Sequence, residues 1–89
     1  MIERQTEIVN RLGLHARAAA KLVHTAGNYQ SRITVVKDGE EVDAKSILGL
    51  LLLAAPRGSR LLVRCDGTDE SAALEAIAAL VADRFGEGR

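Results

Sequence analysis

The sequence predicts an α+β fold in the order β-α-β-β-α-β-α, a four-stranded antiparallel sheet with three helices on one face. This is an open-faced sandwich, and three observations predict it. Short stretches of alternating or β-branched residues recur at 2–9, 31–36, 41–43 and 60–66. Between and after them lie segments with helical spacing of apolar residues or a capping signal, at 16–26, 46–54 and from 69 onward. Glu7, Thr34, Arg64 and Asp66 then suit a second sheet face left to solvent.

Each element follows from local chemistry. Residues 2–9 alternate, with Ile2, Thr6 and Ile8 on one side. A glycine-containing loop, Asn10 to Leu14, leads into a helix over Ala16 to Ala26, whose Ala19, Leu22, Val23 and Ala26 form one apolar face. Gly27-Asn28 stops it, with Gly27 expected in the left-handed cap. Ser31 to Val36 is β-branched, Asp38-Gly39 favours a tight hairpin turn, and Glu41-Val42-Asp43 returns. Ser46 caps a short helix running to Leu53 or Ala54, which Pro56-Arg57-Gly58 breaks. Arg60 to Asp66 alternates, with Leu61, Val63 and Cys65 on one side. Thr68 or Asp69 caps a last helix with a face of Leu74, Ile77, Ala78, Val81 and Phe85, and Gly86-Glu87-Gly88-Arg89 is expected to fray.

Composition removes several function classes. Eighty-nine residues suit one domain, 1–89. Twelve Lys/Arg balance twelve Asp/Glu, and there is one Tyr and one Phe. A nucleic-acid binder would need a basic excess and stacking platforms. The single cysteine, Cys65, leaves no internal disulfide and no cysteine-based zinc site. The longest apolar stretch, Ile47 to Ala55, is far short of a bilayer span. Glu3 and Arg4 directly after Met1-Ile2 do not suit a signal peptide, so a soluble, cytoplasmic protein is expected.

Three places could carry chemistry. In Gly13-Leu14-His15-Ala16-Arg17, His15 falls at a loop-to-helix junction. The first amides of a helix lack intrahelical partners and, with the helix dipole, make an anion site. An imidazole there, with Arg17 beside it and access from solvent, suits a histidine that accepts a phosphoryl group. The plain alternative is a surface histidine at a helix start, because H-x-R is a weak pattern. Ser46 is a cap whose exposed hydroxyl could also be phosphorylated without disturbing the fold. In Ile47-Leu48-Gly49-Leu50-Leu51-Leu52-Leu53 a short helix cannot bury every leucine; if Leu50 and Leu53 point inward, the others form an exposed apolar patch. His24 lies 2.5 turns from His15 and cannot share a metal with it, and Cys65 reads as an inert buried thiol. No metal or cofactor motif is present.

Gly13-Leu14-His15-Ala16-Arg17, followed by Lys45-Ser46-Ile47-Leu48-Gly49, resembles the histidine-containing phosphocarrier family HPr of the bacterial phosphotransferase system. The resemblance covers essentially the whole chain. It implies a sheet order of 1-4-2-3 and a carrier that is not an enzyme, with no cofactor or metal. His15 would accept a phosphoryl group on Nδ1 from phospho-enzyme I and pass it to a histidine of an enzyme IIA protein. Ala16, Arg17 and Ala18 would hold the phosphate. Ser46 would be the regulatory serine phosphorylated by HPr kinase/phosphorylase. Ala20, Ile47, Leu48, Leu51 and Leu52 would form the docking surface of a monomer. The family usually has proline where this chain has Ala18, and Ala16-Arg17-Ala18-Ala19-Ala20-Lys21 looks like proteobacterial members, including a nitrogen-related branch. Two further readings are an acylphosphatase-like hydrolase using Asn10 and Arg11, and a non-catalytic module binding through Leu48, Leu51 and Leu52.

Overall fold

The computed structural model describes residues 1–87. Four strands, β1 (Ile2–Glu7), β2 (Arg32–Lys37), β3 (Glu40–Asp43) and β4 (Arg60–Asp66), form one antiparallel sheet in the order β1-β4-β2-β3. The helices are α1 (Ala16–Ala26), α2 (Ile47–Leu53) and α3 (Glu70–Ala82). The open-faced sandwich and its strand order therefore agree with expectation.

Strand register explains the two faces. Cys65 on β4 stands between Ile2 and Ile33, and Val63 stands opposite Val35, which stacks the buried row under the helices. One residue along, Arg64 lies between Glu3 and Thr34 on the other face. There it binds Glu3 Oε2 at 2.9 Å and Glu41 Oε1 at 2.8 Å, spanning the sheet from β1 to β3. The β2–β3 hairpin turns on Asp38 (φ 51°) and Gly39 (φ 83°), the two positive dihedrals that match the twist of paired strands. Helix α1 buries Ala18, Ala19, Leu22 and Ala26, with Val23 half-buried. Helix α2 buries Leu50 and Leu53, and α3 buries Ala73, Leu74, Ile77 and Val81.

Four details correct the sequence reading. Gly27 ends α1 in the right-handed region (φ −66°, ψ −15°): its N–H still bonds Val23 O at 2.9 Å, and the chain leaves through successive turns. Asp69 occupies the N-cap of α3 but makes no side-chain cap there. Its carboxylate instead accepts Gln30 N–H at 2.8 Å, Ser31 N–H at 2.9 Å and the Ser31 hydroxyl. Phe85 does not extend the face of α3, which ends at Ala82. It sits in a tight turn over Arg84–Gly86 with three consecutive positive dihedrals, φ 57°, 54° and 77°. Burying the Phe85 ring contributes about 2–3 kcal/mol, set against about 1–2 kcal/mol for each of the two left-handed non-glycine residues. Lys21 Nζ also donates to Phe85 O at 2.6 Å and holds the turn against α1. Finally, Glu87 does not fray; it reaches His15. Gly88 and Arg89, the rest of that expected frayed end, lie outside the described residues.

Candidate functional site

The loop before α1 is fixed by its backbone. Gly13 has φ 69°, and a Cβ there would stand 2.6 Å from Ala55 O and 2.9 Å from Pro56 Cα, so only glycine allows this approach. Leu14 N–H then bonds Ala55 O at 2.8 Å, and its side chain is buried. The fully buried Asn10 donates from Nδ2 to Gly13 O at 2.7 Å and closes the loop on itself.

His15 is the N-cap residue of α1, with extended backbone (φ −79°, ψ 179°) and no side-chain cap. The first helical bond runs from Ala19 N to His15 O at 2.8 Å. The amides of Ala16, Arg17 and Ala18 precede that bond and have no intrahelical acceptor. Ala16 and Arg17 are exposed, whereas the Ala18 side chain is fully buried and only its backbone can face a ligand. Arg17 has no ion-pair partner among the described residues.

The imidazole is less open than the sequence suggests. His15 Nε2 is engaged by Glu87 Oε2, and the two side chains are 25% and 16% exposed. Asn10 Nδ2 donates to the other oxygen, Glu87 Oε1, at 3.2 Å. The His15 hydrogen bond holds the Glu87 carboxyl below the usual glutamate range. Asn10 and the charges of His15 and Lys21 act in the same direction, while desolvation opposes them. Among the described residues Nδ1 of His15 has no hydrogen-bond partner. Sequence reasoning missed both Glu87 and the role of Asn10. The one usable signal was an asparagine inside an otherwise apolar and basic loop.

Beside His15 the surface is apolar. Leu48 is 64% and Leu52 72% exposed, and Ile47 and Leu51 are exposed with them. Ala20 is exposed on α1, which packs against α2. Leu12, 66% exposed, was not anticipated; with Leu14, His15, Ala54, Ala55 and Pro56 it lines a shallow hollow. Ser46 opens α2: its Oγ accepts Gly49 N–H at 3.1 Å, as expected of a cap. His24 is exposed at the other end of α1. Cys65 is buried, and desolvation, with the charges of Glu70 and Asp69, pushes its thiol up, away from the reactive thiolate.

The site is thus an imidazole, partly exposed, at a helix start whose first amides have no intrahelical acceptor, with exposed apolar side chains near it. Comparison with known proteins gives the chain a family. The family PTS-HPr, described as the PTS HPr component phosphorylation site, matches residues 2–83. Phosphocarrier protein HPr of Cupriavidus necator is 52% identical over 88 residues, 99% of each chain. Phosphocarrier protein NPr of Shewanella violacea is 45% identical over 86 residues, 97% of this chain and 94% of that protein. The crystal structure of HPr-C-His from Thermoanaerobacter tengcongensis superposes with a TM-score of 0.97 at 42% identity, covering 100% of both chains. The chain belongs to the HPr family of phosphocarriers of the phosphotransferase system.

Proposed function

We infer that residues 1–89 act as one phosphocarrier domain in which Nδ1 of His15 accepts a phosphoryl group from phospho-enzyme I and yields it to a histidine of an enzyme IIA protein. The observation that carries this reading is the state of the ring. Nε2 is engaged by Glu87, which leaves Nδ1 as the other ring nitrogen, at a helix start whose first three amides have no intrahelical acceptor. Phosphoryl transfer is mostly positioning and charge stabilisation. The amides of Ala16, Arg17 and Ala18 and the guanidinium of Arg17 supply donors and positive charge for the phosphate oxygens. A shallow site of this kind holds the group loosely enough to release it.

The shelf of Ala20, Ile47, Leu48, Leu51 and Leu52, extended by Leu12, docks successive partners. Presenting one face to each in turn suits a cytoplasmic monomer that is a substrate of its partners and not itself an enzyme. Ser46, at the edge of this shelf, is the regulatory position, and HPr kinase/phosphorylase is its modifying enzyme. A dianion there sits well at a helix N-terminus but places charge on the docking face. A second reading, a nitrogen-related regulatory carrier with the same chemistry and a different acceptor, is favoured by the similarity to the Shewanella violacea NPr.

The test is to incubate the protein with phosphoenolpyruvate, Mg²⁺ and a matching enzyme I, then weigh it intact under non-acidic conditions. The parent should gain one acid-labile phosphate and His15→Ala none. Equal phosphate on both would remove His15 from its role.

A further inference from the structure

The turn over Arg84–Gly86 and the residue after it form a hook that no local preference explains. Two non-glycine residues in succession take the left-handed conformation. Such strain persists only where surrounding structure over-determines it, and it concentrates at functional sites. Here the hook is anchored on both sides: the Phe85 ring is fully buried, and Lys21 holds the Phe85 carbonyl. Its product is the placement of Glu87, whose two carboxylate oxygens are both used, one by His15 Nε2 and one by Asn10 Nδ2. Asn10 is itself fixed, being fully buried and bonded to Gly13 O at 2.7 Å.

We propose that Glu87, held by Asn10, is a positioning residue for phosphoryl transfer: it keeps the His15 proton on Nε2, leaves Nδ1 as the nucleophile and stabilises the cationic ring that forms. The proposal rests on the reading of His15 Nδ1 as the acceptor. The chemistry follows from the tautomer. A carboxylate can only accept, so the nitrogen it faces carries the proton. The Nδ1 lone pair then forms the new N–P bond, while the donor's bond to phosphorus breaks and its electron pair returns to the donor atom. No proton leaves His15. Its ring therefore becomes an imidazolium with N–P at Nδ1 and N–H at Nε2, and Glu87 carries the compensating charge. On transfer onward, the N–P pair returns to Nδ1 and the ring is neutral again. The same logic makes a buried aspartate orient and stabilise a catalytic histidine in hydrolases.

The experiment uses the full chain and compares the parent with Glu87→Gln, Glu87→Ala and His15→Ala. Two quantities are read: ¹⁵N and ¹H resonances of the His15 ring at alkaline pH, and the rate of phosphate uptake from enzyme I. The parent should show a protonated Nε2 with a downfield, exchange-protected proton, and this proton should lose its shift and protection in Glu87→Ala. Uptake should slow by about tenfold in Glu87→Ala. Glu87→Gln, which can still accept the hydrogen bond but lacks the charge, should keep the tautomer and still slow transfer. Unchanged thermal melting in both Glu87 variants would separate positioning from folding. Uptake equal to that of the parent in both Glu87 variants, whatever the spectra, would overturn the proposal, as would a parent ring protonated at Nδ1. Phosphate on His15→Ala would instead overturn the assignment of the acceptor.

Discussion

Helices α1 and α2 pack together, the start of α1 beside the end of α2 through Leu14 N and Ala55 O, and they treat their first turns in opposite ways. At α2 the Ser46 hydroxyl accepts Gly49 N–H at 3.1 Å and satisfies the turn internally. At α1 the residue in the same position is His15, whose side chain makes no cap and turns instead to Glu87. A good cap contributes about 1 kcal/mol, and the difference in what surrounds each helix decides which can do without it. Helix α1 runs for 11 residues and buries four side chains. Helix α2 runs for 7 and buries two. A short helix is marginal without tertiary help, so α2 needs its cap. The longer, better packed α1 can leave its first amides without a side-chain cap.

The sharpest way to break this contrast is to give α1 a cap. His15→Ser should abolish phosphate uptake completely while leaving the chain at least as stable, since a serine cap contributes about 1 kcal/mol. Urea unfolding checks the second part. A loss above about 1 kcal/mol would mean that the imidazole was holding the helix start.

The reciprocal change acts on α2. Ser46→Ala should cost about 1 kcal/mol in urea unfolding with uptake rates held within about twofold. Ser46→Asp should retain the cap and its stability, because aspartate caps as well as serine. It should nevertheless slow transfer from enzyme I by about tenfold, through charge on the docking face. Equal transfer rates for Ser46→Asp and the parent would remove Ser46 from that face.

The third helix start sharpens the comparison with a smaller effect. The Asp69 carboxylate serves Ser31 and Gln30 across the fold, and these bonds, Ser31's hydroxyl foremost, hold it below the ordinary aspartate range. A depressed folded value means that its stabilisation is complete above the unfolded value of about 3.9 and is lost as pH falls through the lower folded value. The gap in urea midpoint between the parent and Asp69→Asn should therefore be constant near neutral pH and narrow below about pH 4. A gap that is the same across that range would assign the effect to packing instead of charge.

These three starts also mark how far local sequence carries. The β4 alternation of Leu61, Val63 and Cys65, the hairpin at Asp38-Gly39 and the Ser46 cap were all readable, because each depends on a few neighbouring residues. The exposed leucines were readable by exclusion, since Leu50 and Leu53 leave no room inside for Leu48 and Leu52. The Asp69 bonds to Gln30 and Ser31 join residues 38 or more positions apart, and the His15–Glu87 pair joins residues 72 apart. No periodicity encodes such pairs. The position of Glu87 further depends on a left-handed Arg84 and Phe85, which residue preferences argue against. Leu12 was passed over because a lone leucine in a loop is ordinary until its neighbours are known.

The Arg64 clamp on the back of the sheet has a consequence for molecular traffic. By tying Glu3 and Glu41 across all four strands, it leaves partly exposed, mutually paired charges on the uncovered face. Neighbouring copies gain little by stacking there, because association would strip water from ions already matched. The molecule thus pairs one side with exposed leucines against one side with matched charges. A protein of that build gains solubility from this face, because charges already matched and hydrated give a second copy little to bind.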